Sequence, residues 1–366
     1  MTDPLRLGVI GANPDRGWAA TAHLPAVAVL DDIDLIAVAT TRQESADKAA
    51  ARFGARLAFD DPYALIEHDD VEAVTISVRV PGHFPLVEAA LNAGKHVYCE
   101  WPLGATSEQA VALRDLADRR EVKTIVGLQG RRGPAVRRAR DLVADGYVGQ
   151  VLSATLMGSH PFLGGARTST AMAWMADHGS GANLLTISTG HALDSLAAIV
   201  GEFSELTATV ATRVGESTVA ETGEVIRVTS PDQVAVNGRL ADGSVVVAHL
   251  RSGTPGGNAF ALHINGTEGL LEVIAASGLA SSQVLLRGTP SGGEPVALDV
   301  PDAYRLVPAA VPSGPPLHVA HLYQDLFAAV RQGKTEGPDF DVAVNRHQLL
   351  DTIERASSTG RRQRVG

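Results

Sequence analysis

The sequence predicts an α/β fold in two domains: a doubly wound parallel sheet, then an α+β domain with a mainly antiparallel open sheet. A chain of 366 residues exceeds one ordinary domain. Over residues 1–126, short apolar runs alternate with helical patterns, as in a parallel sheet wound with helices. Between Glu205 and Leu286, β-rich runs are joined by glycine-containing turns, which indicates antiparallel strands. The predicted domains are therefore residues 1–126 and 127–366.

The first domain follows from its hydrophobic pattern. The predicted strands are Leu5–Ile10, Leu35–Ala39, Ala73–Val78, His96–Cys99 and Thr124–Leu128. The predicted helices are Trp18–Leu30, Glu44–Phe53, Pro85–Asn92 and Ser107–Arg119. Pro85 suits the first turn of a helix, because a missing N–H costs little there.

The second domain shows longer helices and more turns. The predicted helices are Pro134–Ala144, Asn183–Val200, His318–Arg331 and Val342–Arg355, and a strand is predicted over Val151–Met157. Gly158–Gly181 and Gly288–Pro316 are predicted to be a loop and a surface excursion. Asp242-Gly243 between two apolar runs predicts a hairpin.

Composition excludes several classes of protein. The net charge of −10 leaves no basic face for nucleic acid. No apolar run approaches the ~20 residues of a membrane span, and no signal-peptide pattern precedes the first strand. The single cysteine, Cys99, forbids an intramolecular disulfide and is expected to be an inert buried thiol. A cytoplasmic protein is expected.

The loop after the first strand points to a ligand. Gly11 supplies the first glycine of a dinucleotide fingerprint, Asn13 takes the second position, and Gly17 comes one residue late. Asn tolerates left-handed backbone, so the turn is expected to survive. Glycines here let the backbone approach a pyrophosphate at a helix N-terminus. The loop predicts a dinucleotide-binding Rossmann domain, to which Arg16 and Trp18 would also contribute.

The end of the second strand bears on the choice between NAD and NADP. An acidic residue is expected there for NAD, but Asp31, Asp32 and Asp34 lie at the other end of this strand. Thr40, Thr41 and Arg42 stand at the right end, and a guanidinium with two hydroxyls suits a 2′-phosphate. NADP is therefore favoured, with NAD as the alternative. Arg42 as a merely solvated loop residue is the competing interpretation.

Several short segments together resemble the Gfo/Idh/MocA oxidoreductase family over nearly the whole chain. These segments are Pro81-Gly82-His83, Ala93-Gly94-Lys95-His96-Val97, Glu100-Trp101-Pro102, Gln129-Gly130-Arg131-Arg132 and Gly190-His191-Ala192-Leu193-Asp194. The resemblance implies a nicotinamide cofactor, a sugar or polyol substrate, and a homodimer or homotetramer formed through the second sheet. Further cofactor-binding residues implied by it are Arg79, Pro81, His83, Glu100, Trp101 and Gln129.

The catalytic pattern of the family is incomplete here. Trp101 stands where family enzymes carry a lysine, and an indole cannot act as an acid or base at neutral pH. Ile187 occupies the slot of the family aspartate, four residues before His191. His191 matches the family histidine and Asp194 the acidic residue after it. The resemblance thus implies His191 as proton carrier, oriented by Asp194, or else a helix histidine at a domain interface.

These departures are similar to the subgroup that contains the fungal galactose-regulon repressor, which binds the dinucleotide without catalysis. Two functions therefore stay open: an NADP-dependent oxidoreductase, and a non-catalytic dinucleotide-binding sensor. A nucleotide used transiently in a non-redox elimination is a third. Fold alone does not choose among them.

The remaining candidates concern the substrate. Trp101 is predicted to face a ligand because it lies at the carboxyl edge of the sheet, with a core tryptophan as the alternative. Arg131 and the pair Asp177-His178 are expected to contact substrate, although Asp177 or His178 would also suit a helix cap. His160 and His178 lack a third ligand at recognisable spacing, so no metal is predicted.

Overall fold

A computed structural model describes residues 3–160, 164–253, 260–276, 278–279, 283–334 and 336–366. The chain forms two compact units, Met1–Arg132 with Arg305–Asn345, and Gly133–Tyr304 with Arg346–Gly366. The predicted domain boundary, between residues 126 and 127, is a different kind of division from these compact units, and it stays a prediction. Residues 305–345 belong to the first compact unit because their long helix packs into its core.

The first unit contains a six-stranded parallel sheet in the order β3-β2-β1-β4-β5-β6. Its strands are β1 Leu5–Ile10, β2 Ile33–Ala39, β3 Leu57–Phe59, β4 Ala73–Ile76, β5 His96–Cys99 and β6 Thr124–Val126. Its helices are α1 Leu24–Val27, α2 Gln43–Phe53, α3 Pro62–Glu67, α4 His83–Asn92, α5 Ser107–Arg120 and, later in the chain, α8 Pro315–Gln332. This doubly wound sheet confirms the predicted fold class.

Helix α8 completes the core of the first unit. Val319, Leu322, Tyr323 and Leu326 are wholly buried in one apolar cluster with β1 and α1. Strands of a doubly wound sheet are covered on both faces, so their residues are continuously apolar and need helices on each side. The C-terminal α8 supplies part of that cover for a sheet made by the first 126 residues.

Two local features differ from the prediction. The helix predicted over Trp18–Leu30 is a π-helical turn, Ala19–His23, followed by the single turn α1. Pro25 lacks the N–H that a regular helix would use at this point, which accounts for the irregularity. Strand β3 was not predicted, because its three half-buried residues at a sheet edge are too few to show a hydrophobic period. The short helix α3 that follows it was not predicted either.

The second unit is built on a nine-stranded sheet in the order β17-β16-β15-β14-β7-β13-β12-β9-β18. Of its neighbouring strands that the structure describes, only β7 and β13 run parallel, so the predicted mainly antiparallel sheet is confirmed. These strands are β7 Val151–His160, β9 Phe203–Ala211, β12 Gln233–Leu240, β13 Val245–Ser252, β14 Phe260–Gly266, β15 Gly269–Ala275, β16 Val284–Pro290, β17 Val296–Leu298 and β18 Gln363–Arg364.

The helices of this unit are α6 Pro134–Ala144 and α7 Gly190–Val200, and α9 Phe340–Thr359 begins in the first unit and continues into the second. A small sheet joins β8 Arg167–Thr168, β10 Glu216–Val219 and β11 Val225–Arg227. In the described part of the chain, no helix is both long and apolar enough to cross a membrane.

The two predicted irregular stretches hold more structure than expected. Strand β7 continues to His160 and β8 lies within Gly158–Gly181, whose residues 161–163 are outside the described residues. Strands β16 and β17 enter Gly288–Pro316, because main-chain pairing with neighbouring strands orders polar segments that have no hydrophobic period. The β-rich stretch is confirmed apart from residues 254–259, 277 and 280–282, which are not described.

Candidate functional site

The turn after β1 needs glycine at its first position. Gly11 has φ +87°, and a Cβ there would lie 2.2 Å from the carbonyl oxygen of Ser77. Asn13 does not adopt the left-handed backbone that the prediction allowed for. Among the described residues, Glu121 is the only non-glycine residue with a positive φ. The Asn13 Oδ1 instead accepts hydrogen bonds from the backbone N–H groups of Asp15 (3.0 Å) and Arg16 (3.2 Å). The result is a tight turn of bare backbone at the carboxyl edge of the sheet, called the cradle below, in which the Ser77 carbonyl occupies the place of a Gly11 side chain.

The end of β2 lies beside this cradle. The Thr40 hydroxyl contacts Ser45 Oγ at 2.5 Å and the Arg42 carbonyl at 2.9 Å, so it stabilises the start of α2. Thr41 and Arg42 are exposed. Arg52 of α2 donates to the carbonyl of Pro14 at 2.6 Å, which fixes the glycine turn to this helix.

The residues that follow β4 are held by a buried histidine. Arg79 immediately precedes a short 3₁₀ turn, Val80–Gly82, which contains Pro81 and leads into α4 at His83. His83 Nδ1 lies 2.7 Å from the Pro102 carbonyl and Nε2 lies 3.1 Å from the Val78 carbonyl. Burial lowers the pKa of His83, against the opposing effect of the two carbonyls. The geometry makes His83 a link between the ends of β4 and β5.

Glu100 is the ionisable residue that follows β5. Gln129 Nε2 donates to both of its carboxylate oxygens at 2.9 and 2.8 Å, and His23 Nε2 lies 3.0 Å from Oε1. A Cβ at Gly127 would lie 2.5 Å from Oε2, so the carboxylate occupies the space of a side chain that Gly127 lacks. The neighbouring Trp101 is only 5% exposed. The Glu100 side chain is 13% exposed, so both groups are largely covered at this edge.

In the second unit, His191 lies in the first turn of α7 and is half-buried. The helix predicted over Asn183–Val200 begins as a π-helical turn, Leu184–Thr189, which Asn183 caps with a reciprocal hydrogen bond to Thr186. Burial lowers the pKa of His160 to about 4, and His191 adds to this shift. His160 and His191 are thus electrostatic neighbours.

Asp194 is part of a buried ion network. It is 1% exposed, and Arg346 Nε lies 3.5 Å from its Oδ1. The same guanidinium donates to both carboxylate oxygens of Glu202, at 3.2 and 2.7 Å. A carboxylate buried against a guanidinium holds α7 to α9, so these contacts support an architectural part for Asp194.

The pair Asp177-His178 lies apart from the cap of α7. Asp177 caps its own 3₁₀ turn by accepting from the N–H of Gly179 at 3.0 Å, and His178 Nε2 lies 3.3 Å from Glu354 Oε1. Among the residues that the structure describes, no three His, Cys, Asp or Glu side chains form a group that could hold a metal.

Sequence reasoning missed His23, Thr75 and Tyr323, which complete the surroundings of Glu100. Tyr323 Oη lies 2.8 Å from His23 Nδ1 and 2.9 Å from Thr75 Oγ1. The sequence places Tyr323 on a helix 300 residues from His23, so no local signal connects them. His23-Leu24-Pro25 within a weak helical pattern was the one available hint.

The parallel sheet and the glycine turn after β1 are those of a Rossmann-type, dinucleotide-binding fold, and comparison with known proteins agrees. Residues 5–128 match the oxidoreductase family with an NAD-binding Rossmann fold. Residues 134–275 match the C-terminal domain of Gal80p. Residues 5–128 are thus similar to the Rossmann domain of the Gfo/Idh/MocA oxidoreductases, and residues 134–275 are similar to the second domain of Gal80p.

The relatives of this chain include both a regulatory protein and a dehydrogenase. The galactose/lactose metabolism regulatory protein GAL80 of Kluyveromyces lactis is 28% identical over 295 residues, which are 75% of this chain and 65% of that protein. Levoglucosan dehydrogenase of Pseudarthrobacter phenanthrenivorans is 31% identical over 248 residues, 63% of each chain. A levoglucosan dehydrogenase structure with NADH and L-sorbose superposes with a TM-score of 0.86 at 23% identity, covering 100% of this chain and 99% of that one. The superposition shows the fold.

Proposed function

We propose that the protein is an NADP(H)-dependent oxidoreductase acting on a sugar, polyol or related hydroxyl or carbonyl compound. The observation that carries the proposal is the turn at Gly11, which bends at φ +87° directly after β1 and packs so closely on the Ser77 carbonyl that only glycine fits. Such a bare turn, at the carboxyl end of β1, suits close approach of a pyrophosphate. Arg16, Gly17 and Trp18 continue this loop. The bound dinucleotide would supply or accept the hydride.

The proposed cofactor contacts follow the carboxyl edge. Exposed Thr41 and Arg42, beside Thr40, would bind the 2′-phosphate, which favours NADP over NAD. On the other side of β1, Arg79, Pro81, Glu100 and Gln129 would contact the nicotinamide half. His83 and Trp101 would support them from buried positions, since they are 1% and 5% exposed.

His191 would move the proton that accompanies hydride transfer. It is half-buried, and an imidazole is suited to acid–base work near neutral pH. Asp194 would act on His191 at least through the helix they share, and its carboxylate also pairs with Arg346. Arg131, Asp177 and His178 are proposed substrate contacts, and the exposed fractions of the His178 and Glu354 side chains, 47% and 42%, would allow the contact between these two side chains to open.

The second candidate is a non-catalytic dinucleotide-binding sensor. Two observations favour it: residues 134–275 match the Gal80p C-terminal domain, and Trp101 replaces the lysine expected of a sugar dehydrogenase. A sensor would use the same cradle for the nucleotide and a protein surface for its output. Under this candidate, His191 would have no chemical task.

A titration with NADPH and with NADH, followed by nicotinamide fluorescence and then by a panel of sugars and keto-sugars, tests both candidates. Tighter NADPH binding followed by loss of reduced nicotinamide with one substrate supports the enzyme. Tight binding without turnover across the panel supports the sensor. Absence of binding for both nucleotides would sink the two candidates together.

We also infer a homo-oligomer formed through the open face of the nine-stranded sheet, in a cytoplasmic protein. Register places Leu285, Ile274, Ala261 and Met157 in one row across β16, β15, β14 and β7. Leu285 and Met157 are 50% and 47% exposed. Exposed apolar rows of this kind are typical of interfaces. Light scattering on a Met157→Lys variant, against the wild type, would detect loss of the dimer or tetramer.

A further inference from the structure

A buried chain of hydrogen bonds ends on the Glu100 carboxylate. It begins at Thr75 in the middle of β4, passes through Tyr323 of α8, and reaches Glu100 through His23. Thr75, Tyr323 and His23 are all 0% exposed, whereas 13% of the Glu100 side chain is exposed. The chain therefore runs from the interior to a carboxylate that a ligand can reach.

The chemistry of the four groups allows one continuous direction for these hydrogen bonds. A carboxylate oxygen accepts, so His23 donates to Glu100 from Nε2–H. In the tautomer with its proton on Nε2, His23 accepts at Nδ1 from the Tyr323 hydroxyl, whose oxygen accepts from Thr75. Burial raises the pKa of Tyr323, so the phenol keeps the proton that it donates. Each of the three interior groups has a partner, and the chain has one consistent orientation.

Packing leaves the imidazole little freedom to turn. The ring of His23 meets Tyr98 edge-on at 5.1 Å between centroids and Tyr323 at 5.7 Å, and the two tyrosine rings are 5.1 Å apart. Aromatic side chains in such a cluster have few alternative rotamers. Gln129 and the bare Gly127 hold Glu100 from its other side.

The position of Glu100 in the sheet indicates which part of a dinucleotide it would meet. The adenosine ribose of a Rossmann ligand lies at the end of β2. Glu100 follows β5, and β1 separates β2 from the β4–β5 side in this sheet. A ligand that crosses the Gly11 turn would therefore bring its nicotinamide half towards Glu100.

We propose that His23 and Tyr323 are positioning residues of the nucleotide site, which fix the Glu100 carboxylate to accept a hydrogen bond from the nicotinamide half of the dinucleotide. The inference rests on the proposed function. The donor is an N–H of the carboxamide or an O–H of the adjacent ribose, which share the chemistry that a carboxylate recognises.

The first test is Tyr323→Phe in the full-length protein, which removes one hydroxyl and keeps the buried ring. The dissociation constant for NADPH should rise about fivefold, as expected for one misplaced hydrogen bond. Thr75→Val should weaken binding less, because it acts one step further from Glu100. Tyr304→Phe is the matched control, since it also removes one tyrosine hydrogen bond (2.9 Å, to Asp141) but lies in the other compact unit.

Coupling separates positioning from general stability. In a Glu100→Gln background, Tyr323→Phe should cause no further loss of NADPH affinity, because its effect passes through Glu100. Urea unfolding of each variant identifies conditions in which all variants are folded. When NADPH is titrated under those conditions, a loss of stability alone leaves the dissociation constant unchanged. His23→Gln keeps an N–H donor and should retain affinity that His23→Leu loses.

The donor is identified with 3-acetylpyridine adenine dinucleotide phosphate, whose methyl ketone lacks the carboxamide N–H. A Tyr323→Phe effect that disappears with this analogue assigns the carboxamide, and one that persists assigns the ribose hydroxyl. Equal losses from Tyr323→Phe with and without Glu100, or an equal loss from Tyr304→Phe, would overturn the inference. Wild-type protein that binds neither nucleotide refutes the proposed function instead, so the two failures are distinguishable.

Discussion

The carboxyl edge of the parallel sheet and the first turn of α7 differ in how their polar groups are used. At the sheet edge, His23 and Gln129 converge on Glu100, which stays within reach of a ligand. In α7, the carboxylate that follows His191 is turned inward to Arg346. Under the proposed function, the first region would bind the dinucleotide and the second would transfer the proton. Variants in the two regions are then expected to affect binding and chemistry separately.

The largest expected effect is a loss of catalytic rate without a loss of nucleotide binding. If the protein is an oxidoreductase, His191→Ala should lower kcat by about 10²–10⁴-fold, which is the usual contribution of a positioned acid–base group. NADPH affinity should stay within about twofold, since the cradle and Glu100 belong to the other compact unit. Single-turnover kinetics with nicotinamide fluorescence separates the two quantities. Unchanged kcat would remove His191 from the mechanism.

The next prediction concerns the ion network beside His191. Arg346→Met should lower the free energy of unfolding by about 3–5 kcal/mol, because it leaves Asp194 buried without its cation. Urea denaturation measures the loss, and Arg362→Met is the control. Arg362 pairs with Glu205 at the surface, where such a pair contributes about 0–1 kcal/mol. An Asp194→Asn variant with full stability and reduced kcat would instead favour a catalytic part for Asp194.

A third prediction concerns the affinity for the nucleotide. Gly11→Ala should weaken NADPH binding by about 100-fold, since the new Cβ meets the Ser77 carbonyl in backbone that disfavours side chains. Gly17→Ala has a similar φ of +90° but open space around its Cβ, so its effect should be smaller. Fluorescence titration compares the two. Equal effects would mean that backbone strain, rather than the cradle, decides affinity.

The smallest effect sharpens the choice of nucleotide. Arg42→Ala should weaken NADPH binding by about tenfold and leave NADH binding unchanged, because a guanidinium pairs with a 2′-phosphate that NADH lacks. Parallel titrations with the two nucleotides give the ratio. A similar loss for both would show that Arg42 acts on the loop rather than on the phosphate.

The sequence by itself determined the sheet and its cofactor edge. Apolar runs and their spacing are local properties, and they predicted β1 as Leu5–Ile10 and β5 as His96–Cys99 with the observed bounds. Gly11 was recognisable because a tight turn directly after a strand needs backbone angles that glycine adopts most readily, and this need is visible in the local sequence. Short edge elements such as β3 were missed because three residues cannot show a period.

Only the tertiary structure decided which polar side chains meet. Tyr323 and His23 are separated by 300 positions, and their hydrogen bond exists because α8 packs back onto the first sheet. The sequence predicts that Asp194 orients His191, and the folded chain adds that the Asp194 carboxylate is buried beside Arg346 of α9. Burial makes an unpaired polar group costly, so each takes the partner that packing brings nearest rather than the one that spacing suggests.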